Sequence, residues 1–509
     1  MSSTSREERA GAGERSSPLE MRPDELRRLG HRLVDQIADW LRSLRDLPLT
    51  REATPRAIRE LLGRADLPER GEPAGPLLDE AGRLLFQHSL FNGHPRFWGY
   101  VTASAAPVGA LGDLLASAVN ANVGAWELSP VASEIEARTV SWIAELIGFP
   151  SRTGLLVSGG NMANFIGFFA ARRAAATWDI RGAGLRGDSR PLAMYASTET
   201  HTWIQKAADL SGIGTEAIRW IEADADCRID VEGLRQQIAQ DRGAGMLPFL
   251  VVGNAGTVGT GAIDPLPALA EVCREERVWF HVDGAYGGPA AALPEAPDDL
   301  RGLAGADSVA LDPHKWLYSP LEAGCALVRE RRHLVDAFSF HPAYYRFEGD
   351  EHDPPTNFYE LGLQNSRGFR ALKVWLGLRQ AGREGYRQMI RDDIALARDM
   401  HRALAEHPEL EARSCNLSIV TFRYVPEDLA GRADAASYVD TLNERLLARL
   451  KASGEAFVSN TLLAGRFVLR ACIVNFRTTR SDVRALPAIV ARIGRQVDAE
   501  MRPASGPAH

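Results

Sequence analysis

A mostly parallel α/β sheet, preceded by a helical segment and followed by a small α+β domain, is the architecture this 509-residue sequence predicts. Three observations carry it. Continuous apolar runs such as Phe249-Leu250-Val251-Val252 lack polar alternation, as in strands covered on both faces. Each run ends in a glycine or polar motif: Ser158-Gly159-Gly160-Asn161 after Leu156-Val157, Gly253-Asn254 after Val252, and His281-Val282-Asp283-Gly284 after Val278-Trp279-Phe280. Helical patterns separate the runs, an alternation that puts a site along the strands' carboxyl edge.

Composition bounds what this architecture can do. The chain is 45% apolar and 25% charged, with a net charge of −7 and a pI near 6.0, so it offers no field for nucleic acid or an acidic membrane surface. Five scattered cysteines without a CxxC pair argue against a disulfide framework or a zinc site, and no metal is expected. No apolar run approaches the roughly 20 residues that span a bilayer, and the polar start lacks a signal-peptide core, so a cytoplasmic protein is expected.

In order, residues 1–20 read as a disordered tail, 21–100 as an N-terminal helical segment, 101–378 as the large α/β domain and 379–509 as the small C-terminal domain. From Arg22, Leu26, Leu29, Leu33, Ile37 and Leu41 recur at helical spacing. His94–Thr102 packs aromatic and β-forming residues around Gly99, by default as core. A helix starts near Ser129–Glu136, capped at or near Ser133, and stops at Gly148-Phe149-Pro150. Leu155–Val157, the two glycines and a helix containing Phe165 and Phe168 form a strand, turn and helix that suit an anion at the helix start, with Gly160 and Asn161 as donors. The GxGxxG of a dinucleotide site is missing. Met194–Ser197 leads to His201 at another helix start. Gly324–Val328 reads as one more strand, and a helix opens after Ser366-Arg367-Gly368. Strands near Leu417–Phe422 and Phe467–Arg470 mark the C-terminal region.

Ala306–Pro320, reading ADSVALDPHKWLYSP, concentrates the chemistry. The run Ser308–Leu311 breaks at Asp312-Pro313 and delivers His314-Lys315-Trp316 just past a strand end. A lysine there is partly desolvated, which favours the neutral amine that imine formation needs. Asp283 stands at another strand end. An amine for a Schiff base and a carboxylate for a pyridinium nitrogen are the pair a pyridoxal phosphate (PLP) site requires.

Taken together, SGGN at 158–161, His201, HVDGAYGG at 281–288 and DPHKW at 312–316 resemble the PLP-dependent group II amino-acid decarboxylases of the aromatic-L-amino-acid type, from about Met21 to about Thr479. The resemblance implies the aspartate aminotransferase-like fold type I and a homodimer, with the Leu26–Leu41 helix swapped onto a second subunit and the active site at the interface. It implies cofactor contacts from Gly160, Asn161, His201, Thr257, Asp283, Ala285, Asp312, His314 and Lys315. Tyr100, Thr102 and His201 fall in its substrate-binding positions. Gly124 or its neighbour stands where animal relatives carry a phenyl ring, implying a wider pocket. Asp312 stands where many relatives have asparagine, and it is expected to accept a backbone or water hydrogen bond. Ser366 falls where plant relatives vary with indole or phenol substrates.

The implied reaction is α-decarboxylation of an L-amino acid, aromatic by resemblance, through a Schiff base on Lys315 and a quinonoid carbanion. Asp283 holds the ring nitrogen, His201 stacks on the ring, and Tyr344 in the HPAY stretch returns the proton, with Tyr345 its rival. Alternatives are an aromatic aldehyde synthase and a decarboxylase of acidic or diamino acids, the latter open because Asn122, Glu127 and Arg96 are polar near the expected pocket. A nucleotide-dependent oxidoreductase lacks its glycine fingerprint, and a non-catalytic scaffold would lack a PLP absorbance band.

Overall fold

A computed structural model describes residues 17–51, 53–63, 66–340 and 355–502. The chain divides into two compact units, Met1–Phe91 and Asn92–His509. In the first, α1 (Pro23–Ser43), α2 (Pro55–Leu62) and α3 (Ala74–His88) are the expected helical segment. Prolines open α1 and α2 where the missing N–H costs no helix bond. Arg32 pairs with Asp79 at 2.8 Å, and Trp40 stacks on Phe86, tying α1 to α3.

The second unit begins with α4 (Pro107–Val119) and α5 (Pro130–Leu146), then runs β1 (Gly154–Val157), α6 (Gly160–Ala175), α7 (Ile180–Ala183), β2 (Leu192–Ser197) and α8 (Trp203–Leu210). It continues with β3 (Ile218–Ile221), α9 (Val231–Gly243), β4 (Leu247–Asn254), α10 (Leu266–Glu276), β5 (Trp279–Asp283), β6 (Ser308–Leu311) and β7 (Gly324–Val328). After α11 (Arg331–Phe338) and α12 (Ala371–Ala405) come β8 (Leu410–Asn416), β9 (Ile419–Tyr424), α13 (Ala436–Ser453), β10 (Ser459–Leu463), β11 (Arg466–Cys472) and α14 (Arg480–Met501). Helix α5 starts earlier than Ser133: Ser129 is the N-cap residue and Pro130 takes the first helical position.

The large sheet has the order β1-β7-β6-β5-β4-β2-β3. The strands β6, β5, β4, β2 and β3 are parallel; in β6, β5, β4 and β2 nearly all the apolar residues are buried on both faces, as the uninterrupted runs predicted, whereas the edge strand β3 leaves Trp220 exposed. Strand β7 is antiparallel to both of its neighbours. Residues 312–323 hold no helix, and a parallel return needs a long crossover, so the chain simply reverses. A second sheet, β10-β11-β9-β8, is wholly antiparallel and packs with α13, α14 and the far half of α12. Helix α12 kinks at Gly382, whose φ of 64° lies in the left-handed region. Before the kink it presses on Gly112 of α4, and beyond it Ala397, Met400 and Leu404 enter the core of the small sheet. The segment 96–98 also joins this sheet region: Trp98 N–H donates to Phe457 O at 2.8 Å, and Cys472 N–H to Trp98 O at 2.9 Å. Among the described residues no helix is long and apolar enough to cross a membrane.

Candidate active site

Strand register sets the site. Asn254 of β4 pairs with Asp283 of β5, and Asp283 with Ala310 of β6, so three parallel strands end side by side. Just past these ends lies a pocket lined by Gly160, Asn161, His201, Thr257, Asp283, Ala285, Asp312 and Lys315. All eight were expected from the sequence. Val101, Asn164, Asn254, Gly256, Val258 and Tyr286 complete the wall. A more open groove lined by Trp178, Arg190 and Met246 holds neither lysine nor histidine.

Lys315 reaches this pocket because residues 312–319 form a tightly moored turn. The Lys315 N–H donates to Asp312 O at 2.8 Å, and Tyr318 N–H to Lys315 O at 3.0 Å, with Tyr318 in a left-handed conformation at φ 53°. The flanking aromatics point the other way. Trp316 Nε1 and Tyr318 O–H both donate to Asp393 Oδ2 of α12, at 2.9 and 2.6 Å. The Tyr286 ring stacks on Trp316 at 5.0 Å, and its hydroxyl meets Ser418 Oγ at 2.7 Å. Burial pushes the Asp393 carboxyl up to about 7, against the pull of the two donors.

That shift makes a pH prediction. Between about pH 4, the ordinary Asp value, and about pH 7, folded Asp393 binds a proton that the unfolded chain has lost, so its contribution to stability falls as pH rises. Asp393→Asn keeps an acceptor for Trp316 and Tyr318 without the charge. Denaturation midpoints should therefore move in the variant's favour, relative to the parent, as pH rises through this window.

Asp312 differs from expectation. Its Oδ2 pairs with Lys315 Nζ at 3.0 Å and lies 3.7 Å from His314 Nε2, rather than taking a backbone hydrogen bond. The turn brings the lysine, three residues on, over its own carboxylate. Asp312 is buried, and its Oδ1 has no hydrogen-bond partner among the described residues. A Cβ on Gly160 would stand 2.5 Å from Asp312 Oδ2, so this position of α6 must be glycine. Among the described residues no side chain caps the start of α6, which leaves its first N–H groups for a ligand.

Asp283 is held at both oxygens: Ala285 N–H donates to Oδ1 at 3.1 Å and Asn164 Nδ2 to Oδ2 at 3.1 Å. His201 Nδ1 accepts from Trp203 N–H at 3.2 Å. His201 is an exposed residue, yet desolvation at the pocket wall lowers its pKa, outweighing the opposing pull of Asp283. Thr257 Oγ1 lies 3.1 Å from Thr260 Oγ1. Asn254 is fixed by Asp264, whose Oδ2 accepts both its N–H, at 2.7 Å, and its Nδ2, at 2.8 Å.

Some expected residues are not brought together here. His314 does not line the pocket, although its Nε2 lies 3.7 Å from Asp312 Oδ2; its Nδ1 accepts from Ala323 N–H at 3.2 Å, and desolvation lowers its pKa. Tyr100 and Thr102 do not line the pocket, whereas Val101 between them does. Tyr100 takes φ 54°, its carbonyl accepting from buried Arg470 at 2.9 Å, and the residue is 56% exposed. Gly124 does not mark spare room: its Cβ would lie 2.2 Å from Asn365 O, so a backbone contact requires glycine. Tyr344 and Tyr345 lie outside the described residues. Reading the sequence missed Asn164 and Asn254; the available signal for Asn164 was its position one helical turn beyond Gly160 on a helix facing the sheet.

The donor set fits PLP: an amine on Lys315, a fixed carboxylate on Asp283 and an uncapped helix start converge on one pocket. Comparison with known proteins agrees. The profile of the pyridoxal-dependent decarboxylase conserved domain matches residues 55–425. An aromatic-L-amino-acid decarboxylase from Bacillus atrophaeus is 36% identical over 470 residues, covering 92% of this chain and 95% of that protein. A phenylacetaldehyde synthase from Arabidopsis thaliana is 28% identical, covering 91% of this chain and 94% of that protein. Among solved structures, Oryza sativa TDC with PLP and tryptamine superposes with a TM-score of 0.87 at 28% identity, covering 95% of this chain and 99% of that one. The chain therefore belongs to the pyridoxal-dependent decarboxylase family: its fold is fold type I, its cofactor is PLP, and it is an amino-acid decarboxylase.

Proposed function

We propose that the substrate is an aromatic L-amino acid, converted to its amine and carbon dioxide. The observation that carries this reading is the convergence of Lys315, Asp283 and His201 on one pocket at the carboxyl ends of adjacent parallel strands, in a chain 36% identical to an aromatic-L-amino-acid decarboxylase. When bound, PLP supplies an electron-accepting ring that takes up the electron pair left as carbon dioxide departs. Lys315 Nζ is the amine that holds the cofactor. The Asp283 carboxylate keeps the proton on the ring nitrogen, because an opposite charge nearby favours the charged form. Gly160 and Asn161 would hold the phosphate, Thr257 the phenolic oxygen, and His201 the ring face. Ala285, Asp312 and His314 support these positions. Tyr100 and Thr102 act through the wall segment that Val101 presents to the pocket.

A homodimer is supported by α4, whose Leu111, Leu114, Leu115 and Val119 recur at helical spacing on an exposed face. A cytoplasmic location is supported by five cysteines, all free. The test is carbon dioxide release from purified holoenzyme with aromatic, acidic and diamino acids in parallel. Release from acidic or diamino acids alone would overturn the aromatic reading.

A second outcome, the aldehyde, is favoured by the likeness to phenylacetaldehyde synthases. Tyr344 is the residue we assign to protonate the substrate's α-carbon. Tyr344→Phe is expected to lose amine and gain aldehyde, ammonia and peroxide, with substrate binding little changed, since the rings differ by one hydroxyl. Product analysis beside Tyr345→Phe decides it: a switch in the Tyr345 variant alone moves the role by one residue.

A further inference from the structure

We propose that Trp279, Ser308, His281 and Asn164 form a one-directional hydrogen-bond chain ending on Asp283, and that His281 and Asn164 are positioning residues for this carboxylate. The proposal rests on the reading of Asp283 as the partner of the cofactor's ring nitrogen.

The two ends of the chain fix its direction. A carboxylate only accepts, so Asn164 presents its amide nitrogen to Asp283 Oδ2, at 3.1 Å. Its Oδ1 then faces His281 Nε2 at 2.7 Å. An amide oxygen only accepts, so Nε2 carries the proton. His281 is wholly buried, and desolvation pushes its pKa down to about 3, so the ring is neutral and its Nδ1 is bare. Nδ1 must therefore accept from its partner, Ser308 Oγ, at 2.7 Å. The Ser308 hydroxyl spends its one hydrogen there, and its oxygen accepts from Trp279 Nε1 at 2.8 Å. An indole N–H only donates. A donor-only group at one end and an acceptor-only group at the other leave a single arrangement in which no buried atom is frustrated.

The surroundings hold this arrangement still. Register pairs His281 with Ser308 across β5 and β6. A Cβ on Gly167 of α6 would lie 2.6 Å from both His281 Nδ1 and Cε1, so only glycine lets the helix close over the imidazole. The Trp203 ring meets His281 edge-on at 5.6 Å. With every hydrogen of the chain pointing toward Asp283, the network orients the carboxylate and stabilises its charge. It gives Asp283 no acceptor to which a proton could leave.

Three variants and one direct measurement test this. Nitrogen NMR of histidine-labelled apoprotein, with His281→Gln to assign the signal, should show the proton on Nε2 and a bare Nδ1. A proton on Nδ1 would overturn the proposal. In holoenzyme, Asn164→Leu should shift the pH midpoint of the bound cofactor's visible absorbance. It should also lower kcat by about tenfold or more, less than loss of a direct electrostatic donor, with KM little changed. His281→Leu should behave the same way. His281→Gln, which can donate to Asn164 and accept from Ser308, should remain near the parent. An unchanged spectrum and kcat in Asn164→Leu, or equal losses in His281→Gln and His281→Leu, would sink the directional role. Should the leucine variants not fold, the NMR result and His281→Gln still decide. Asp283→Asn separates the underlying reading: an unchanged kcat there removes the ring-nitrogen assignment, whatever tautomer His281 shows.

Discussion

Lys315→Ala is expected to release no carbon dioxide from any amino acid, and borohydride should no longer fix the cofactor to the protein. The expectation follows from the site: Lys315 is the lysine lining the pocket that also holds Asp283 and His201. Its loss has a structural side as well. Lys315 Nζ is the 3.0 Å partner of Asp312, whose side chain is 3% exposed and whose second oxygen has no partner among the described residues. Removing the ammonium leaves that carboxylate uncompensated, a cost of about 1–3 kcal/mol, toward the lower end because the lysine side chain is itself 21% exposed. The single variant's apoprotein should thus melt below the parent's. Lys315→Met with Asp312→Asn removes both charges and should recover most of that stability with no activity. Cofactor still trapped by borohydride in Lys315→Ala would show that another lysine carries it.

What could be read from the sequence follows a physical divide. Strands β4, β5 and β6 were legible because burial on both faces writes a largely apolar run, and Asp283 and Lys315 because one closes such a run and the other stands four residues past the end of the next. The groups that fix those residues were not. Asn164 acts on Asp283 from a helix 119 positions away in sequence, and Asp393 moors Trp316 from 77 positions away. Residue type does not distinguish these side chains from solvated ones, and the spacing of Asn164 one turn beyond Gly160 names no partner until the fold sets it against Asp283. Asp312 shows the same limit at short range. Its pairing with Lys315 depends on how tightly the 312–319 turn closes, and composition is silent on that. Gly124 is the opposite case: a missing side chain that suggested an open pocket is occupied by the carbonyl of Asn365.

The second large effect is expected at the buried pair Arg367–Glu136, far apart in sequence and almost fully enclosed, with side chains 1% and 0% exposed. Arg367 donates from Nη1 to Val123 O at 2.9 Å and to Glu136 Oε2 at 3.2 Å, and from Nη2 to Leu156 O at 2.6 Å and to Glu136 Oε1. Its guanidinium also lies over the Phe358 ring at 4.8 Å. Glu136 Oε1 accepts in addition from Leu156 N–H at 2.9 Å. The planar fork is thus used for two carbonyls and a bidentate carboxylate at once, which a lysine cannot reproduce. Arg367→Met leaves a buried carboxylate without its cation and should destabilise the protein by about 3–5 kcal/mol, seen as a lower denaturation midpoint. Arg367→Lys should recover only part of it. Arg367→Met with Glu136→Gln should be more stable than Arg367→Met alone, because a neutral amide costs less to bury than an unpaired charge. Leu156 sits in β1, the strand that leads into Gly159, Gly160 and Asn161, so loosening it should also weaken cofactor retention. If Arg367→Met unfolds with the parent and holds PLP as tightly, this pair carries neither the stability nor the placement of the α6 start.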